Sequence, residues 1–135
     1  MAALRAAPIK NKPLPTAIGD LVTECRVITG LEVQFDLLGA ARSLNSQVEL
    51  TLYRVAQEGL TNVRKHAQAT RVEVALVYDN SKVGLSIDDD GQGIGETSNG
   101  YGLLGLRERV QLVGGTIDIR IAPDQGCRLE VEIPT

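Results

Sequence analysis

Apolar and polar positions alternate in blocks along this chain, and the blocks switch between two periods. From Thr16 to about Thr29, Ile18, Leu21, Val22 and Cys25 fall near one face of a helix. Thr16 is a candidate cap and Gly30 a candidate stop. Leu31 to Leu37 alternates strictly and reads as a strand. Asn45 to Ala67 carries the strongest helical pattern, with Val48, Leu52, Val55, Gly59, Leu60 and Val63 at three- and four-residue spacing. Asn45 or Ser46 suits its cap, and Glu49 stands in the first turn, where the helix dipole favours an acid. Strand patterns follow at Arg71–Tyr78 and Lys82–Asp89, then a Gly-rich stretch from Gly91 to Gly105. A further helix is expected over about Tyr101–Val113, stopped at Gly114-Gly115. Two last strands carry Ile117, Ile119 and Ile121, and Leu129, Val131 and Ile133, each set on one face.

Strands with one apolar and one polar face have one side covered and one side wet. The pattern therefore predicts an α/β fold of two layers. A mixed, mostly antiparallel sheet is covered on one face by about three helices. A doubly wound parallel sheet would need strands apolar on both faces. The first fifteen residues, broken by Pro8, Pro13 and Pro15, read as a linker ahead of one domain over residues 16–135.

Composition narrows the chemistry. The chain has 135 residues, enough for one core and not two. Aromatics are only 3%, too few for base-stacking platforms, and the net charge of −3 makes a nucleic-acid partner unexpected. No apolar run approaches a membrane span, so no membrane contact is expected and the chain reads as cytoplasmic. A single histidine excludes a multi-His metal site. Cys25 and Cys127 stand far apart and are expected as free thiols.

Four features break the pattern. Asp89 continues the register of Val83, Leu85 and Ile87, so its carboxylate is expected on the covered face, where it is costly unless it is hydrogen-bonded. Gly91 and Gly93 follow it and let a flat ligand approach the backbone; a turn aspartate flanked by glycines is the alternative. Glu58, Asn62 and His66 form a polar stripe on the long helix, with Lys65 beside His66. Their oxygens suit Mg²⁺ and their donors suit phosphate, while a solvated helix face is the plainer alternative. Gly59, in the same stretch, hints at close packing. Gly100-Tyr101-Gly102-Leu103-Leu104-Gly105 opens a helix and offers N–H groups to phosphate. It is not a dinucleotide fingerprint, because no strand precedes it. Finally, Gly126-Cys127 leads the last strand, with Cys127 in the register of Leu129. That thiol is either plain core or part of a pocket wall.

In this order the features resemble the GHKL (Bergerat-fold) ATP-binding superfamily. The wording from Gln57 to Ala67 and from Tyr101 to Arg109 is similar to the catalytic domain of two-component sensor histidine kinases of the NarL/DesK-type class. The resemblance covers about Leu14 to Thr135. It implies that Glu58, Asn62, Lys65 and His66 form an N box, with Asn62 holding Mg²⁺ and Lys65 and His66 contacting phosphate. It implies that Asp89, Gly91 and Gly93 form a G1 box, with Asp89 accepting from the adenine amino group. Gly100, Tyr101, Gly102 and Leu103 then fall at the end of an ATP lid, and Gly126 and Cys127 on a last adenine-side motif that more usually carries Thr.

The resemblance further implies ATP and Mg²⁺ as ligands. The γ-phosphoryl would pass to a histidine on a dimerisation domain of the parent kinase, off this chain, and from there to a response regulator. Residues 1–15 would be the linker from those helices, and the resemblance is compatible with a membrane-anchored parent. An anti-sigma-factor-type protein-serine kinase of the same fold, or a nucleotide-sensing module without activity, are the alternatives.

Overall fold

The computed structural model describes residues 12–64, 68–91, 103–122 and 126–135. The first helix, α1, spans Leu14–Thr29 and buries Leu14, Ile18, Leu21, Val22 and Cys25. It begins two residues before the expected cap at Thr16. Pro15 is no obstacle there, because the first-turn N–H groups of a helix have no intrahelical partner to lose. At its other end Gly30 takes φ 71° and donates its N–H to the Arg26 carbonyl, as expected for a glycine stop.

Strand β1, Glu32–Leu38, leads to α2, Ser46–Asn62. The Asn45 side chain caps α2 by accepting from the Gln47 N–H at 2.8 Å. The expected apolar stripe from Val48 to Val63 is buried. The α-helix itself ends at Asn62, and Val63 and Arg64 follow in a wider turn. The expected extension through Ala67 falls outside the described residues.

Strands β2, Arg71–Tyr78, and β3, Lys82–Asp89, precede α3, Leu103–Leu112, and strands β4, Thr116–Ala122, and β5, Gly126–Pro134, complete the sheet. The spatial order is β1-β2-β3-β5-β4. Only the β1–β2 pairing is parallel, so the sheet is mixed and mostly antiparallel, as the patterning required. The inward residues Val72, Val74, Leu76, Val83, Leu85, Val131 and Ile133 are buried under the helices. On the outer face, Lys82 pairs with Glu132 and Arg128 with Asp88. Cys25 and Cys127 are both free and buried. Among the described residues no helix is long and apolar enough to cross a membrane.

Candidate functional site

The site lies where α2 meets the ends of β3 and β5. Gly59 sets how close the helix comes. A Cβ there would stand 2.5 Å from Ile87 Cδ1 and 3.2 Å from Leu129 Cδ2, so a larger residue would force those side-chain ends, or α2 itself, to move. From Gly59 to Asn62 and Val63 a narrow cleft lies between α2 and the sheet. Its empty space, mouth included, is about 330 Å³. Asn62 from α2, Asp89 from β3 and Cys127 from β5 line it together with Ile87 and Leu129.

Sequence positions 89 and 127 are thus brought together by sheet register, and position 62 by the packing of α2 on the sheet at Gly59. Asp89 and Cys127 are direct partners across the β3–β5 pairing. Gly126 makes that pairing possible at its end. It holds φ 100°, and a Cβ on it would strike the Asp89 carbonyl oxygen.

Asp89 points into the cleft between apolar walls. Its Oδ1 accepts the Gly91 N–H at 2.9 Å, and the Cys127 N–H also supports it. Burial nonetheless dominates and raises the Asp89 carboxyl above its ordinary value, with Asp90 and Asp88 adding to the rise. Among the described residues no cation stands among these influences. The result is an ionisable acceptor with main-chain support on one side and an apolar slot on the other. That arrangement suits a flat ring with a polar edge that donates a hydrogen bond.

The Cys127 thiol is pushed up to about 11 by burial and by the Asp89 and Asp88 charges, so it is neutral at pH 7. It contributes a small apolar wall and not a nucleophile. Both readings left open by the sequence hold, since Cys127 is buried in the core cluster and also lines the cleft.

Glu58 is half-buried on α2 and does not line the cleft. Gly91 is buried at the end of β3, where its N–H reaches Asp89. Leu103 is the first residue of α3. Lys65, His66, Gly93, Gly100, Tyr101 and Gly102 lie outside the described residues. Val63 and Ile119 also line the cleft. The sequence pattern assigned both to the core stripe, and nothing in periodicity separates a residue under a cleft from one under a helix. Among the described residues there is no group of three or more His, Cys, Asp or Glu that could hold a metal ion alone.

Comparison with known proteins agrees with this geometry. Residues 47–135 match the model of the family described as "Histidine kinase-, DNA gyrase B-, and HSP90-like ATPase". The chain is 33% identical over 120 residues to the sensor histidine kinase YxjM of Bacillus subtilis (strain 168), covering 88% of this chain and 30% of that protein. It is 35% identical over 134 residues to the signal transduction histidine-protein kinase/phosphatase UhpB of Salmonella typhimurium, covering 97% of this chain and 26% of that one. The chain therefore spans less than a third of either relative.

Among solved structures, the histidine kinase domain of the Erythrobacter litoralis EL346 blue-light activated histidine kinase superposes with a TM-score of 0.72 at 21% identity, over 91% of this chain and 65% of that one. The catalytic domain of histidine kinase ThkA superposes at 0.65 with 17% identity, over 90% and 89%. These two likenesses establish the fold, and the expected two-layer architecture is the one they share.

Proposed function

This chain belongs to the histidine kinase-, DNA gyrase B- and HSP90-like ATPase family, and from that premise we propose that it is the ATP-binding catalytic domain of a sensor histidine kinase. The observation that carries the reading is the convergence of Asn62, Asp89 and Cys127 on one cleft from three distant parts of the chain. In this reading adenine lies in the cleft against Ile87 and Leu129 and donates its amino hydrogen to the Asp89 carboxylate. Asn62, farther along α2 than Gly59, faces the phosphates.

A Mg²⁺ ion fits this donor set. Asn62 would hold it through its side-chain amide oxygen, and Mg²⁺ commonly keeps most of its waters, so one protein ligand is enough. When bound, it would neutralise phosphate charge. Lys65 and His66 are assigned to phosphate contact. Gly91, Gly93, Gly100, Tyr101, Gly102 and Leu103 are assigned to the backbone that closes on the nucleotide, and Gly126 to the adenine side. Glu58 is assigned to orienting a nucleophile or a water held by the metal.

Phosphoryl transfer is mostly positioning and charge neutralisation, and this set supplies both. The bond from Pγ to the bridging oxygen breaks, ADP leaves, and a P–N bond forms to an imidazole on the parent kinase's dimerisation domain. The imidazole N–H proton passes to a base, assigned to an acidic side chain beside that histidine on the dimerisation domain. The phosphoryl group is then relayed to a response regulator. Residues ahead of α1 are assigned as the linker to that domain, and the place of work is the cytoplasm, where ATP is supplied.

The test mixes this chain with a separately produced, His-containing dimerisation domain and γ-labelled ATP. Acid-labile label on that domain, and none held on His66, supports the reading. Acid-stable label on a serine of a partner protein would replace it with a protein-serine kinase. Nucleotide binding with no transfer to any acceptor would leave a sensing module.

A further inference from the structure

Two aspartates end β3, and the proposed site uses only the first. Asp90 stands outside the β3 register and is exposed, yet its carboxylate is fully engaged. Oδ1 accepts the main-chain N–H groups of Thr70 and Arg71, each at 2.9 Å. Oδ2 accepts the Thr70 hydroxyl at 2.7 Å. The Asp90 N–H in turn donates to the Arg71 carbonyl at 3.2 Å, and the Thr70 carbonyl accepts from the Glu32 N–H at 3.2 Å. One side chain therefore ties the end of β3 to the head of β2, and Thr70 carries the tie on to the edge strand β1. These donors, the Thr70 hydroxyl first, hold the Asp90 carboxyl below the ordinary carboxylate range.

The place of this brace is what gives it a consequence. The β2–β3 pairing ends at Val72 opposite Asp89. Past that pair the turn rests on Asp90, whose two chain neighbours are the cleft carboxylate and the glycine that donates to it at 2.9 Å. We propose that Asp90 is a positioning residue for nucleotide recognition: by clamping the turn to Thr70 and Arg71 it fixes the direction of the Asp89 carboxylate and of the Gly91 N–H beside it. This rests on the reading that Asp89 receives the adenine amino group. With that carboxylate free to swing, the site would still bind phosphates nearby. It would lose its preference for a ring that presents an amino group over one that presents a carbonyl.

Calorimetric titration of Mg-ATP and Mg-GTP into wild type, Asp90→Ala, Asp90→Asn and Thr70→Val tests it. Asp90→Ala is expected to weaken ATP about tenfold, the worth of one charge-assisted hydrogen bond, and to weaken GTP much less. Asp90→Asn keeps an acceptor oxygen for the two N–H groups and an amide donor for the Thr70 hydroxyl, so it should stay within about twofold of wild type. Thr70→Val removes only the hydroxyl bond and should narrow the ATP-to-GTP ratio by a smaller factor, about two- to fivefold; it decides the matter if Asp90→Ala does not fold. An unchanged ratio in Asp90→Ala and Thr70→Val, or equal losses for both nucleotides alongside a lower melting temperature, would reduce Asp90 to a fold brace and overturn the proposal. Wild type that binds ATP and GTP equally would instead overturn the adenine role of Asp89, and this inference with it.

Discussion

Asp88 and Asp89 are adjacent on β3 and face opposite sides of one sheet. Burial raises the carboxyl of both. On the outer face the cost is answered by a cation: Arg128 reaches Asp88 at 2.6 Å and also touches Glu130 at 3.4 Å. On the inner face, among the described residues, Asp89 is supported by main-chain N–H from Gly91 and Cys127. The outer aspartate is complete as it stands. Among the described residues, the inner one has no donor beyond Gly91 and Cys127, and it keeps lone pairs for another. The contrast shows how a site can be recognised where no motif is legible: a partly buried acid whose supporters leave its ligand side unanswered.

The largest expected effect comes from closing the inner side. Gly59→Leu places a branched side chain where a bare Cβ already meets Ile87 and Leu129. Nucleotide binding should be lost by calorimetry, and overpacking should lower stability by about 1–3 kcal/mol in denaturant unfolding. A variant that still binds ATP would move the site away from this cleft.

A smaller and graded effect comes from pH. Because the folded-state carboxyl of Asp89 is raised, the native state holds that proton more tightly than the unfolded chain does. ATP affinity should therefore be flat above the raised value and fall on acidification through it, while Asp89's own contribution to stability rises as pH drops over the same window. An affinity unchanged until ordinary, unshifted carboxylates titrate would contradict the burial of that group.

The smallest effect belongs to the outer side. Arg128→Ala breaks two half-exposed ion pairs, worth about 1 kcal/mol or less in thermal unfolding, and should leave nucleotide affinity unchanged. A clear loss of ATP binding in that variant would show that the two faces are not independent.

Much of the contrast was legible in the residues. The period-two register alone placed Asp89 on the covered face, because a strand cannot turn one residue over without turning its neighbours. Gly59 was legible as a close-packing residue because a helix interior gives glycine no other use. Other features were not. The start of α1 at Leu14 was missed because proline was read as a stop, although its missing N–H costs nothing in a first turn. The position of β5 between β3 and β4 leaves no trace in alternation, since each strand shows the same apolar face whatever its neighbour. The Asp90 brace was invisible because an exposed aspartate in a turn has no period to break. Cys127 remained ambiguous until its pairing with Asp89 was known.

The most direct test is calorimetric titration of Mg-ATP into wild type and Asp89→Asn, with unfolding of both followed in parallel at neutral pH. Asparagine removes a buried charge without changing shape, so the fold should be retained with stability equal to wild type or higher, and ATP binding should be abolished or weakened strongly. Undiminished ATP affinity in a folded Asp89→Asn would contradict the central claim that the inward carboxylate of β3 is the group that receives the nucleotide.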